Sequence, residues 1–505
     1  MTLDARARPG TTRPVAPADR GTPYADAVAD HAAGDLLRLN VPGHSAHRSG
    51  GGELMAYFGE QVVRKDISPL LGGVDLGQDN PLLRSLSFAA EAWGARRTWF
   101  LTSGASQANR ICALAFGSLG RPDQPVVVQR SAHSSFIDGI ILAGLTPVFV
   151  QPRIDDRYGI AHGVAPAELR RVLAANPDSK GIYLVSPSYF GAVADVAAMA
   201  EIAHAAGVPL LVDEAWGAHF GFHCDLPRSA LSLGADLVVS STHKLGGSLT
   251  QSAMLHLADG PFALALEPLI QRAYIVTVST SPSALLLASL DIARHALSTG
   301  ADRIAASIEA AESIRADIRR RGTMAVVSDS WAFDEVIGSD PLRVSVDVRR
   351  AGLNGHAVRE ELMRSSGIYT EISTDSCIVA FLGPGFTPDG SRFVDALHVL
   401  EPIGSLAYAP TPEPDLPRFG TLGMSPREAW FSPAAIVPAG EAVGRISADS
   451  LAAYPPGIPN VLPGEVVTLE VIDFLRKVAA SPGGHVRGAM DPMVDFLRIV
   501  ADAPA

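Results

Sequence analysis

Between residues 85 and 245 the chain alternates short β-branched runs with alanine-rich stretches, a rhythm that few folds accommodate. "PVVVQR" (125–130), "TPVFVQP" (146–152), "GIYLVSPS" (181–188), "VPLLVDEA" (208–215) and "ADLVVSST" (235–242) read as short buried strands. Between them "ADVAAMAEIAHAAG" (194–207) has apolar residues at helical spacing and a glycine stop. Strand–helix–strand alternation predicts an α/β fold, with a mostly parallel sheet covered by helices on both faces. Ligands of such sheets sit at the carboxyl ends of the strands, so residues just after each run are the candidates for chemistry.

Four places stand out there. "SSTHKLGG" puts Lys244 directly after the strand 235–242, with His243 beside it to help hold an anion. A desolvated lysine has a lowered pKa and can form a Schiff base with an aldehyde cofactor. Asp213 closes the strand in "LVDEAWGAHF", 31 residues before Lys244 in the chain, which leaves room for one helix and the next strand. A carboxylate there can keep a pyridine nitrogen protonated, although it reads equally as a cap for the next segment. Ser103, Gly104, Ala105 and Ser106 in "FLTSGASQANR" precede a helical run, where free N–H groups and the dipole favour an anion or a serine simply caps the helix. His133 in "RSAHSSF" comes after the strand 125–130, and its flat ring could stack on an aromatic cofactor.

The remaining signals bound the answer. A chain of 505 residues exceeds one ordinary core, and a net charge of −12 argues against a nucleic-acid partner. No apolar run reaches membrane-helix length, the N-terminus has no apolar signal core, and the three scattered cysteines imply no disulfide framework. A soluble cytoplasmic protein is expected. Its expected organisation is a disordered arm over 1–30, a large domain with an N-terminal helical segment over 31–300, a small α+β domain over 301–410 and a C-terminal segment over 411–505 packing on the active site. "ADRIAASIEAAESIRADIRRRG" reads as a long helix leaving the large domain, and the proline-rich "APTPEPDLPRFG" (409–420) separates the last piece.

Taken together these residues resemble the Orn/Lys/Arg decarboxylase family. The resemblance is carried by "VPGHSAHRSGG" (41–51), "TSGASQANR" (102–110), "VSPSYFG" (185–191), "VDEAWGAHFGFH" (212–223), "SSTHKLGGSLTQSAMLH" (240–256), "STSPSALLLASLDIAR" (279–294) and "YPPGIPNVLPGE" (454–465). It implies an aspartate-aminotransferase-like large domain of PLP fold type I, with a smaller C-terminal α+β domain. It also implies pyridoxal 5′-phosphate as cofactor, and decarboxylation of arginine, lysine or ornithine to a polyamine-type amine and carbon dioxide. Lys244, His133 and Asp213 would be catalytic: Lys244 linked to the cofactor, Asp213 on the pyridine nitrogen, and His133 stacked on the ring face opposite Ala215 and Trp216. Ser103, Gly104, Ala105, Ser106, Ser241 and His243 would surround the phosphate. Thr280 or Ser281 of a neighbouring subunit would complete that site, which makes a homodimer or higher homo-oligomer the active unit. Glu465 is the candidate clamp for the substrate's distal cation, or else it opens the helix after it.

Three departures from the family pattern bear on substrate choice: Trp216 where many members have His, Ala105 where a threonine is commoner, and "PGHSAH" in place of a Pro-Gly-His-Lys-like start. Arg343 in "DPLRVSVDV" reads either as a carboxylate contact or as a solvated side chain and is left unassigned. An aminotransferase or lyase on the same fold is the alternative reading, and a non-enzymatic regulator is disfavoured because both Lys244 and Asp213 are present. His219, His223, Cys224 and Asp225 allow a zinc reading, with the histidines at i, i+4, but no second ligand pair comes after them and no metal is assigned.

Overall fold

A computed structural model describes residues 21–408, 420–454, 458–481 and 484–501. The five buried runs are all strands, and two more join them. In chain order they are β1 (Arg97–Leu101), β2 (Val126–Gln129), β3 (Pro147–Val150), β4 (Ile182–Val185), β5 (Leu210–Asp213), β6 (Leu237–Ser240) and β7 (Ala253–Leu257). They form one sheet in the order β1-β7-β6-β5-β4-β2-β3. Strands β2 to β6 pair in parallel, and β7 runs antiparallel to both β1 and β6. The carboxyl ends of β1, β2, β4, β5 and β6 therefore share one edge.

Alternate residues of each strand enter different cores. Leu210, Val212 and Val238 belong to one apolar cluster, whereas Leu211, Leu237 and Val239 belong to the other. With helices on both faces neither side of a strand is wet, which is why the segments read as unbroken apolar runs.

The expectation of an arm over 1–30 does not hold for its last part. Residues 1–20 lie outside the described residues, but a helix, α1 (Pro23–Ala33), begins at a proline suited to its first turn. Tyr24 and Val28, one turn apart, enter the first core, and the Tyr24 N–H donates to buried Asp291 (3.0 Å). Helices α2 (Gly104–Gly117) and α3 (Ser134–Ala143) cover the second core. Helix α4 (Val196–Ala205) starts at Asp195, whose side chain accepts the Ala198 N–H (3.0 Å). The long charged segment is α5 (Ala301–Arg321), which ends at Gly322 with φ 72° and carries Arg319, Arg320 and Arg321 at its negative dipole end.

Beyond α5 a second, antiparallel sheet has its own core. Its strands β8 (Ala325–Val326), β9 (Arg343–Asp347), β10 (Ile372–Ser373) and β11 (Cys377–Phe381) are ordered β8-β9-β11-β10. Helix α6 (Gly355–Ser366) is capped by Asn354, which accepts the N–H groups of His356 and Ala357. The proline-rich separator falls, but for Gly420, outside the described residues. After it β12 (Leu451–Tyr454), β13 (Pro459–Val461) and β14 (His485–Arg487) form a small sheet beside α7 (Leu469–Ala480).

One buried ion pair ties this last part to the main sheet. Arg130, just after β2, donates from Nε and Nη2 to the two oxygens of Glu465 (3.1 and 2.8 Å). Each side chain is only 1% exposed. The Glu465 carboxylate also accepts the Leu462 N–H (2.9 Å), and Arg130 donates to the Pro459 carbonyl (2.7 Å). Glu465 is therefore closed into a structural pair and does not line the cavity at the strand ends, which corrects its expected role as substrate clamp. A fork-on-carboxylate geometry uses up the carboxylate's oxygens, and nothing in the local sequence reveals that a residue 335 positions away supplies the fork.

Removing one partner strands a buried charge. Glu465→Ala is expected to cost about 3–5 kcal/mol of stability, whereas the double change Arg130→Met with Glu465→Leu costs much less. Denaturant titration of the three chains checks this, and equal losses in the single and double variants would contradict it.

Candidate active site

The shared strand edge borders a cavity of about 640 Å³. Asp213, the last residue of β5, ends a fully buried strand, so its carboxylate depends on local donors. Three reach it: Asn109 Nδ2 from α2 (2.9 Å), the Tyr183 hydroxyl from β4 (2.7 Å) and the Ala215 N–H (3.1 Å). Asn109 Nδ2 also donates to the Ser135 hydroxyl (3.0 Å), which meets Nδ1 of His133 at 2.8 Å. A continuous polar chain therefore joins the strand-end carboxylate to the histidine.

His133 caps α3: its Nδ1 accepts the Ser135 N–H (3.2 Å), which assigns the proton of the neutral ring to Nε2. Burial holds its pKa below the usual histidine range, against the pull of Asp213. A neutral flat ring thus faces the cavity.

Lys244 lies in a single helical turn, Thr242–Leu245, after β6. Its Nζ is 4.0 Å from the ring centroid of Trp216 and 5.8 Å from that of Tyr189. Desolvation lowers its pKa to about 8; Asp213 and Glu371 oppose that shift, and the charge of Arg343 adds to it. Beside it, Nδ1 of His243 donates to the Ser252 carbonyl (2.8 Å), and burial lowers this ring's pKa as well.

Of the residues expected from sequence, Gly104, Ala105, Ser106, His133, Asp213, Ala215, Trp216, Ser241, His243 and Lys244 all line this one cavity. Ser103 does not; it is exposed at the foot of α2 and its side chain caps nothing. That leaves the first turn of α2, at Gly104 (φ 73°), without a side-chain cap where it meets the cavity, an arrangement suited to an anion. Thr280 and Ser281 are exposed and lie outside this chain's cavity. His219 leaves the group of residues that allowed a zinc reading, because it is buried and 3.0 Å from Asp340. Only His223, Cys224 and Asp225 remain together, at an exposed turn.

Sequence reasoning missed Asn109, Tyr183 and Arg343. A tyrosine inside a fully buried strand needs a partner for its hydroxyl, and that is the signal that would have singled out Tyr183. Arg343 is neither solvated nor in the cavity lining. It is buried on β9 with its guanidinium carbon 4.1 Å from the Trp216 ring centroid and Nε 3.5 Å from Asp340.

A lysine, a strand-end carboxylate, a flat neutral ring and an uncapped helix start around one cavity fit a phosphorylated pyridine aldehyde. The lysine would meet the aldehyde, the carboxylate the ring nitrogen and the helix start the phosphate.

Comparisons with known proteins show the family. The family model described as "Orn/Lys/Arg decarboxylase, major domain" matches residues 22–345, and the one described as "Orn/Lys/Arg decarboxylase, C-terminal domain" matches 419–485. The chain is 34% identical over 491 residues to an arginine decarboxylase of Bacillus subtilis (strain 168), covering 96% of this chain and 99% of that protein. It is 32% identical over 487 residues to an arginine decarboxylase of Bacillus anthracis, covering 95% and 97%. Among solved structures, lysine decarboxylase A from Pseudomonas aeruginosa superposes with a TM-score of 0.81 at 21% identity, covering 95% of this chain and 80% of that one.

The lowered Lys244 pKa has a direct consequence. Only the unprotonated amine attacks an aldehyde, so capture of added pyridoxal 5′-phosphate by cofactor-stripped protein should quicken with pH, with a midpoint near pH 8. An ordinary lysine would level off only above about pH 10. Because Arg343 pushes the pKa down, Arg343→Met should move the midpoint upward. Stopped-flow visible absorbance measures both effects, and a midpoint near that of free lysine would contradict the assignment.

Proposed function

Because the chain belongs to the Orn/Lys/Arg decarboxylase family, and so decarboxylates a basic amino acid, we propose that its substrate is arginine and its cofactor pyridoxal 5′-phosphate. The observation that carries the site assignment is the placing of the Lys244 amine and the triply held Asp213 carboxylate on one cavity. The choice of arginine rests on the relatives named arginine decarboxylase, at 32–34% identity over nearly the whole chain, against 25% for a relative named lysine decarboxylase.

Bound pyridoxal phosphate supplies an aldehyde for the substrate amine and a ring that accepts the electron pair left when carbon dioxide departs. The protein's own residues do the rest. Asp213, fixed by three donors, holds a proton at the ring nitrogen. Three donors from three different elements fix the direction of its oxygens. His133 and Ala215 would hold the ring between them, and the start of α2, with Ser241 and His243, would hold the phosphate. Trp216 and Tyr189 exclude water from around Lys244, whose Nζ, with a pKa of about 8, can hold a proton and return it to the substrate's Cα.

The active unit in this reading is a homodimer in which Thr280 or Ser281 of one copy approaches the phosphate site of the other. In support, those two residues are exposed here, and the segment from 36 to 76 leaves large apolar side chains uncovered, including Leu37, Leu39 and Tyr57 at 83–87% exposure. This reading also places the protein in the cytoplasm, in polyamine synthesis; the three free cysteines suit a reducing compartment.

Supplied with arginine, lysine and ornithine separately, the holoenzyme is expected to release carbon dioxide and agmatine from arginine far faster than cadaverine or putrescine from the others. Keto-acid formation in place of carbon dioxide would overturn the reading in favour of an aminotransferase. Asp213→Ala should lower turnover by orders of magnitude while keeping most bound cofactor; equal, mild losses in both would remove Asp213 from its role. Sedimentation of the holoenzyme as a monomer would dispose of the shared site.

A further inference from the structure

Two cations share one aromatic side chain at the wall of the cavity. Lys244 Nζ lies 4.0 Å from the ring centroid of Trp216, and the guanidinium carbon of Arg343 lies 4.1 Å from it. Arg343 is buried, and among the described residues none of its three guanidinium nitrogens has a hydrogen-bond partner. Instead the guanidinium meets the Trp216 face, the Phe381 ring at 5.7 Å and the carboxylate of Asp340, whose Oδ2 is 3.5 Å from Nε.

These contacts form a closed circuit. Arg343 opens β9, and Asp340 lies three residues before it; Trp216 is on the turn after β5, and His219 lies three residues beyond it. Nε2 of His219 is 3.0 Å from Asp340 Oδ1, which also accepts the Leu342 N–H (3.0 Å). The circuit runs from Trp216 along the chain to His219, across to Asp340, along the chain to Arg343 and back to the indole, and all four residues are buried. Moving the indole aside would leave a buried guanidinium with less to meet it, so the circuit holds Trp216 in place. Trp216 is thus the fixed member of its pair with Lys244, and the lysine, on its flexible four-carbon stem, is the mobile one.

We propose that the Trp216 face is where the Lys244 amine rests whenever it is not bonded to the cofactor, so that Trp216 positions that amine to return a proton to the substrate's Cα. The substrate displaces the lysine, and the freed amine needs a place close by. A π face attracts the ammonium but has no lone pair that fixes its proton, whereas a carboxylate in the same place would keep the amine charged. The inference rests on the proposed decarboxylase activity and adds a positioning residue to it.

Fluorinated tryptophans keep the indole's shape but drain charge from its face, so they test the attraction apart from the packing. Mono-, di- and trifluorotryptophan placed at position 216 of the full chain should lower, step by step, the pH midpoint at which the stripped protein captures added pyridoxal 5′-phosphate. The trifluoro form should move it down by about one unit, because a weaker face holds the charged amine less well. Asp213, Glu371, Arg343, His133 and His243 also face that amine, and none of them changes across the series. The same series at Trp99, which Arg97 overlies at 4.7 Å, should leave the midpoint where it is. In the holoenzyme kcat for arginine should fall in the same order while KM holds, because the face acts on the lysine and not on the substrate. A midpoint that stays fixed across the series would reduce Trp216 to a piece of wall, and a KM that rises with each fluorine would make it a substrate contact; either result overturns the assignment. If the stripped protein captures no pyridoxal phosphate at any pH, the decarboxylase reading fails first.

Discussion

A carboxylate at the end of a buried strand must be satisfied by its neighbours, and the way Asp213 is satisfied organises the whole site. Tyr183 comes from the adjacent strand, Asn109 from the helix packed over it and Ala215 from the turn just after the strand. Each donor belongs to a different element, so the carboxylate reports the correct assembly of β4, β5 and α2. The same amide passes the connection to Ser135 and His133, at the start of the next helix. Satisfied networks of this kind rigidify a site, because the loss of any one member leaves a buried polar group unpaired.

Lys244 is governed by the opposite requirement. Its amine is reactive because little solvates it. Aromatic faces from Trp216 and Tyr189 surround it, and Arg343 repels its proton from behind the Trp216 wall. Aromatic faces favour a cation, yet desolvation outweighs them here, and the amine ends nearer neutrality than a free lysine would. The cavity thus holds a carboxylate fixed in direction at Asp213 and an easily discharged amine at Lys244.

Three parts of the chain share the cavity. The main sheet gives the lysine and aspartate, the second sheet gives Glu371 and Asp375, and the C-terminal part gives residues such as Phe474 and Lys477 from α7. Arg130 and Glu465 hold the last part against the loop that leads to His133, and Arg487 donates to Ser134 (2.6 Å) at the start of α3. A buried ion pair contributes little net stability, so its value is one of register: it sets where the C-terminal part sits over the site.

The sequence by itself determined the strands of the main sheet, because burial on both faces writes continuous apolar runs. It also determined the residues at their ends, because a polar side chain directly after such a run has few other places to point. Lys244, Asp213, His133 and the 104–106 turn were legible for that reason, and the family motifs agreed with them. What only the tertiary structure decided are the partnerships between residues far apart in the chain. Glu465 stood open between a clamp and a helix start until Arg130 met it, Arg343 stood open between a carboxylate contact and a solvated side chain until Trp216 and Asp340 enclosed it, and His219 allowed a ligand reading until Asp340 took it. Hydrogen bonds and ion pairs depend on distance in space, and no periodicity along the chain encodes which side chains will meet.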